Sequence, residues 1–138
     1  MVRTSRPLVE RMTLVWHDWF ATSNEAVSSQ RLMLNQNKVL RRYWLGSFEK
    51  LLLALTTDPA MLLWLSGSEN SKWAPNENYA RELMELFTLG RGYTERDIRE
   101  AARALTGFRA DWDTDGPPRT YYDSEGHDGG SKRVLGRR

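Results

Sequence analysis

Three places along the chain carry residues able to do chemistry, and each also has a plainer packing explanation. His17 stands beside Asp18 at the border of an apolar helix face, flanked by tryptophans. An imidazole there can bind a metal or act as a general base, or simply hydrogen-bond a neighbour at the edge of a core. Glu82 and Glu85 lie three residues apart, roughly 60° from each other around a helix, so both can face one cation. Their packing alternative pairs Glu82 with Arg103 or Arg11, and Glu85 with Arg81 one turn back. His127-Asp128 sits in a glycine-rich stretch with Gly126, Gly129 and Gly130. Such a loop lets a side chain approach a ligand, although most loop histidines are merely solvated. If His127 folds back onto Glu82 and His17, the three become a catalytic acid/base centre or the ligands of a divalent metal, with Glu85 as a fourth. No established zinc spacing supports that arrangement: the chain has no H-E-x-x-H and no cysteine. No phosphate loop or nucleophile elbow is visible either.

These groups must be positioned by helices. The segment from Pro75 to Gly90 reads as one helix, with Asn76 at its cap, Glu77 near the positive end of the dipole and Gly90 closing it in a left-handed conformation. At about 100° per residue, Tyr79, Ala80, Leu83, Met84, Leu86, Phe87 and Leu89 cover more than half its circumference. Glu82 falls between Leu86 and Leu89, inside that apolar arc. A carboxylate there needs a cation, a donor or a metal, or else keeps its proton. Asn76, Arg81, Glu82, Glu85 and Arg103 are therefore also the candidates for a structural polar network.

Upstream, Ser5 and Pro7 open a helix whose inward stripe reads as Leu8, Met12, Val15, Trp16 and Trp19. Residues 21–29 read as a loop or frayed turn. A less regular helix follows over 30–45, with Leu32, Met33, Val39, Leu40 and Trp44 inward. Ser47 caps a helix striped by Phe48, Leu51, Leu52 and Leu55, and Asp58-Pro59 opens a short apolar one. Downstream, Thr94 and Asp97 resemble a capping box ahead of Ile98, Ala101, Ala102 and Leu105, and Gly107 ends that helix. Residues 108–112 and 119–122 suit two short strands around Asp115-Gly116-Pro117-Pro118. The expected fold is mainly α: an irregular multi-helix array over 1–107, with a small β-hairpin or loop appendage over 108–138, all one domain.

The chain of 138 residues is 40% apolar, holds six tryptophans and carries a net charge of +2. That composition belongs to a folded domain with a real core, not to a disordered segment. Basic residues cluster at Lys38, Arg41 and Arg42 and at the C-terminal end around Lys132, but most tryptophans fall on apolar stripes. Core packing explains them better than a nucleic-acid surface does. No apolar run is long enough to span a membrane, and no signal-peptide core is present.

The run Asn76-Glu77-Asn78-Tyr79-Ala80-Arg81-Glu82-Leu83-Met84-Glu85-Leu86-Phe87-Thr88-Leu89-Gly90 resembles the signature of a large bacterial family, the domain-of-unknown-function family 1800. Four further stretches resemble it in order: residues 10–20, Asp58 to Leu62, Tyr93 to Gly107, and His127-Asp128-Gly129 with Val134-Leu135-Gly136. The resemblance implies a piece of a larger protein, usually one with an export signal, so the partners it implies are the remaining parts of that protein. It implies no mechanism. Many members carry histidine where this chain has Trp19 and often where it has Phe87, and many carry Asp where it has Ser66. If those residues jointly bind a metal in relatives, this chain has lost ligands.

Overall fold

The computed structural model describes residues 4–111 and 116–138. Residues 1–3 and the expected hairpin positions Trp112 and Asp115 lie outside them. Among the described residues there are seven α-helices and one two-stranded sheet. The helices are α1 (Pro7–Phe20), α2 (Asn24–Val27), α3 (Gln30–Arg42), α4 (Phe48–Thr56), α5 (Pro59–Trp64), α6 (Asn78–Glu82) and α7 (Glu95–Ala104). A 3-10 turn spans Gly67–Glu69, and a π-helical turn, Leu83–Thr88, continues α6. Strands β1 (Phe108–Asp111) and β2 (Arg119–Tyr122) pair antiparallel, with Phe108 opposite Tyr122 and Asp111 opposite Arg119. None of the described helices is long and apolar enough to cross a membrane.

Capping chemistry sets most of the boundaries. Ser47 Oγ accepts from Lys50 N, and Asp58 Oδ1 accepts from Met61 N with Pro59 in the first turn. Thr94 and Asp97 form a reciprocal box in which the shorter Asp takes the place of the usual Glu. Two starts differ from expectation. Ser5 does not cap α1; Thr4 Oγ1 accepts from Arg6 N one residue earlier. Residues 21–29 are not all loop, because Ser23 and Ser29 each cap a helix, α2 and α3.

The main core gathers Phe20, Leu40, Leu51, Leu55, Met61 and Phe87, with Phe20 and Phe87 edge to face at 5.0 Å. A smaller core joins Ala80 and Met84 to Ile98, Ala101 and Ala102 of α7, where the alanines permit close approach. The buried face of α1 is Val9, Thr13 and Phe20. Of the expected inward stripe, Trp16 packs against the main core and Met12 is half-buried, but Leu8, Val15 and Trp19 are exposed. Thr13 tolerates burial because its hydroxyl donates to Val9 O at 2.7 Å, satisfying itself within the helix.

The central segment is not one regular helix. After α6 the bonding pattern widens: Leu89 N donates to Met84 O, and the Thr88 hydroxyl to Leu83 O, both five residues back. A π turn rotates less per residue than an α-helix, so a wheel drawn at 100° drifts after Glu82: Met84 and Phe87 are buried as expected, while Leu86 and Leu89 are exposed. Gly90 does close the segment, with φ +68°.

Candidate functional site

The densest polar arrangement lies where the C-terminal loop meets α7. Asp97, Glu100, Arg103 and Thr106 recur every third residue, so they run as a slow spiral along the side of α7 and its C-terminal extension. Each holds one part of the loop. Asp97 Oδ1 accepts from Leu135 N at 2.7 Å, and Glu100 Oε2 accepts from Arg133 N at 2.9 Å. Arg103 Nε donates to Asp128 Oδ2 at 2.6 Å and Nη2 to Oδ1 at 3.3 Å, a forked pair. Its Nη1 reaches Glu100 at 2.8 Å. Thr106 Oγ1 donates to Arg103 O and accepts from Asp128 N.

The electrostatics follow from those contacts. The Arg103 guanidinium, with the Gly130 amide, pulls the Asp128 carboxyl down to about 2. Glu100 is lowered first by the Arg133 amide and then by Arg103. Asp97 is lowered by the Thr94 hydroxyl and then by the Leu135 amide. Backbone amides, one hydroxyl and one arginine thus keep three carboxylates ionised around α7.

His127 belongs to this cluster. Its Nδ1 lies 2.9 Å from Thr106 O, so in the neutral ring that nitrogen carries the proton. Nε2 is left as an acceptor, 3.4 Å from Lys132 Nζ, and the ring packs beside Tyr122 at 5.4 Å. Lys132 also donates to Asp128 O. The hairpin places this loop. Gly107, at φ +92°, donates from N to Asn70 O, and its carbonyl accepts from Asp123 N. A Cβ there would lie 2.6 Å from Asp123 O, so only glycine fits that position without displacement. Arg109 Nη1 donates to Ser68 O and Asn70 O, while Nη2 pairs with Asp123.

The three expected centres are not brought together. His17 lines a separate surface cleft of about 570 Å³ with Leu14, Asn24, Gln30, Met33, Leu34 and Asn37, none of which surrounds His127. Among the described residues no group of three or more His, Asp or Glu is placed to hold a metal ion. Glu82 is half-buried, not enclosed, and its carboxylate has no hydrogen-bond or ion-pair partner among the described residues. The π turn explains this: Leu86 and Leu89, expected to flank Glu82 in the core, are 58% and 42% exposed.

The expected polar partners also change. Arg103 serves Asp128 and Glu100 rather than Glu82. Arg81 pairs with Glu95 at 2.8 Å and Glu77 at 3.2 Å, not with Glu85. Exposed Glu85 lies near Tyr93, whose phenol is raised first by burial and then by that carboxylate. Asn76 is not the cap of α6: Glu77 holds that position without a side-chain cap bond, and Asn76 Oδ1 accepts from N of Asn78, the first helical residue. Of the basic set, Arg41 is clasped to Glu10 and Lys132 is folded into the loop.

The family described as "Protein of unknown function (DUF1800)" matches residues 1–138, the whole chain. The chain belongs to that family. No curated protein and no solved structure matches it.

For this member of the family, sequence reasoning overlooked the residues that tie the pieces together. Buried Asn70 donates from Nδ2 to Ala102 O and accepts at Oδ1 from Asn76 N, joining α7 to the approach of α6. Thr106 and Arg109 do the same for the loop and hairpin. Buried Gln36 donates to Asp58 at 2.9 Å. A single polar residue in a loop or on a helix gives no periodic signal, so pattern reading passes over it. The Asp58-Pro59 start was the one available cue, and it pointed to a cap alone.

Proposed function

We propose that the chain is a helical structural and binding segment of a larger exported protein, and that other parts of that protein cover its apolar groove. The observation that carries this is the groove itself, about 370 Å³, between α4, the π turn, α7 and the C-terminal turn. Leu52, Leu83, Met84, Leu89, Leu105 and Val134 line it together with Ala101 and Ala104. An open trough so apolar is a contact surface waiting for a partner. The Asp97–Glu100–Arg103–Thr106 series supports the reading, because it holds the loop that forms one wall. The export element is supported by the family resemblance.

The test compares the 138-residue chain with the longer gene product by amide hydrogen exchange. With the flanking sequence present, amides at 83–90 and 133–136 are expected to slow at least about tenfold. Equal exchange in both proteins overturns the reading. Periplasmic or extracellular recovery of the longer product tests export separately.

A further inference from the structure

Helix α1 carries two apolar stripes offset by one residue. Val9, Thr13, Trp16 and Phe20 face the protein's own core side, while Leu8, Met12, Val15 and Trp19 follow the same 4-3-4 spacing one position earlier. That spacing places the second set within a narrow band along the helix. It is largely uncovered: Leu8 is 57% exposed, Val15 50% and Trp19 51%, and Met12 is half-buried. Its spacing is that of a coiled-coil seam. Trp19 is also held still, since its indole Nε1 donates to Phe87 O at 3.3 Å. An exposed tryptophan pinned in place is a low-entropy anchor for a partner.

The charges beside the seam say which partner. Arg11 and Asp18 each precede a seam residue by one position, so both lie on the same flank, seven residues apart. Both are exposed, and neither side chain has a hydrogen-bond or ion-pair partner among the described residues. In an antiparallel pair of identical helices, flanking positions of this type meet one another across the seam. Arg11 of each copy then faces Asp18 of the other, while Leu8 meets Trp19 and Met12 meets Val15. A parallel pair brings no such match. The seam is therefore complementary to itself about a two-fold axis.

We propose that α1 is a homodimer contact, in which two copies of this chain pair antiparallel through Leu8, Met12, Val15 and Trp19 with reciprocal Arg11–Asp18 ion pairs. This surface is formed by α1 and is distinct from the groove above, so either can fail without the other. One 14-residue helix against another buries less than a standard interface, so the dissociation constant is expected at about 10–100 µM.

Sedimentation velocity of the 138-residue chain from about 5 to about 500 µM reads this directly. A concentration-dependent monomer–dimer equilibrium is expected. Arg11→Asp and Asp18→Arg each place like charges face to face and weaken it at least about fivefold, and the double variant restores it to within about twofold. Melting curves of all three variants matching the parent establish that each folds. The chain has no cysteine, so register is also readable by introducing one. An equimolar mixture of Met12→Cys and Val15→Cys chains is expected to form the mixed disulfide in preference to either symmetric one. A monomer throughout the concentration range, failure of the double variant to restore pairing, or preferential crosslinking of the Met12→Cys chain to itself each overturns the proposal.

Discussion

Replacing Asp58 by asparagine should remove a pH dependence that the buried carboxyl imposes on stability. Asp58 is only 4% exposed, and burial pushes its carboxyl up from 3.8 to about 6. Three donors oppose that rise, the Met61 amide, the Gln36 amide group and the Ala60 amide, but they do not cancel the loss of water. A folded pKa above the unfolded one means that the native state holds the proton more tightly. The stabilisation is complete below about pH 4 and is lost as pH rises through about 6. Raising the carboxyl from 3.8 to about 6 is worth about 3 kcal/mol.

Asparagine keeps the acceptor that caps α5 and receives Gln36, yet never ionises. The measured quantity is the difference in urea-unfolding free energy between Asp58→Asn and the parent, taken from about pH 3.5 to about 7.5. Carboxylates common to both proteins, Asp128 and Glu100 among them, drop out of that difference. It should move by about 3 kcal/mol in favour of the asparagine variant between the two ends, with its midpoint between about pH 4 and about 6. Asp58→Ala, which strands the Gln36 and Met61 donors, should cost about 2–4 kcal/mol at about pH 4. A difference that stays flat within about 0.5 kcal/mol means that solvent or the three donors fully compensate the buried charge, and the reasoning is refuted.

Four further outcomes are expected. Gly107→Ala should cost more than about 2 kcal/mol, since it adds a Cβ at positive φ against the Asp123 carbonyl; an unchanged melting curve contradicts this. Thr106→Val keeps the shape but leaves the Asp128 amide without its acceptor, at about 1–3 kcal/mol by urea unfolding. Asp128, lowered to about 2, contributes stability that is present above its unfolded pKa and lost as pH falls through about 2; Asp128→Asn should flatten that acid limb, and added salt should weaken it in the parent. Glu82→Ala and Glu85→Ala should each stay within about 0.5 kcal/mol of the parent in thermal unfolding, because neither carboxylate holds an ion pair among the described residues.

Local signals carried much of the fold. Ser47, Asp58-Pro59, Thr94 with Asp97 and Gly90 all mark element ends in the sequence and do so in the structure, whereas α7 ends at Ala104, before Gly107, which sits just ahead of β1. A cap involves residues within three or four positions of each other, so its chemistry is readable locally. The candidate site was harder for the opposite reason. Arg103 reaches Asp128 across 25 positions, Asn70 reaches Ala102 across 32, and Arg109 reaches Ser68 across 41. Nothing in a periodic pattern encodes such partners. His127 was legible as a loop histidine of interest, but its tie to the Thr106 carbonyl depends on how the hairpin returns the chain to α7. Glu82 failed for a local reason: a π turn follows it, and no residue between Leu83 and Thr88 forbids an ordinary α-helix.

Helix α1 shows how a correct period can still give the wrong face. Its two apolar stripes share one spacing and differ by a single step of about 100°, so periodicity identifies the helix without choosing between them. The true inward face contains Thr13, which looks polar until its hydroxyl is seen to bond Val9 within the helix. The outward face is the more hydrophobic of the two by composition, with Leu8, Met12, Val15 and Trp19 against Val9, Thr13, Trp16 and Phe20. A sequence selected only for this fold has no reason to place its greasier stripe in water. The preference reverses if that stripe has a binding partner, as in the proposed antiparallel pair, which would cover Leu8, Val15 and Trp19.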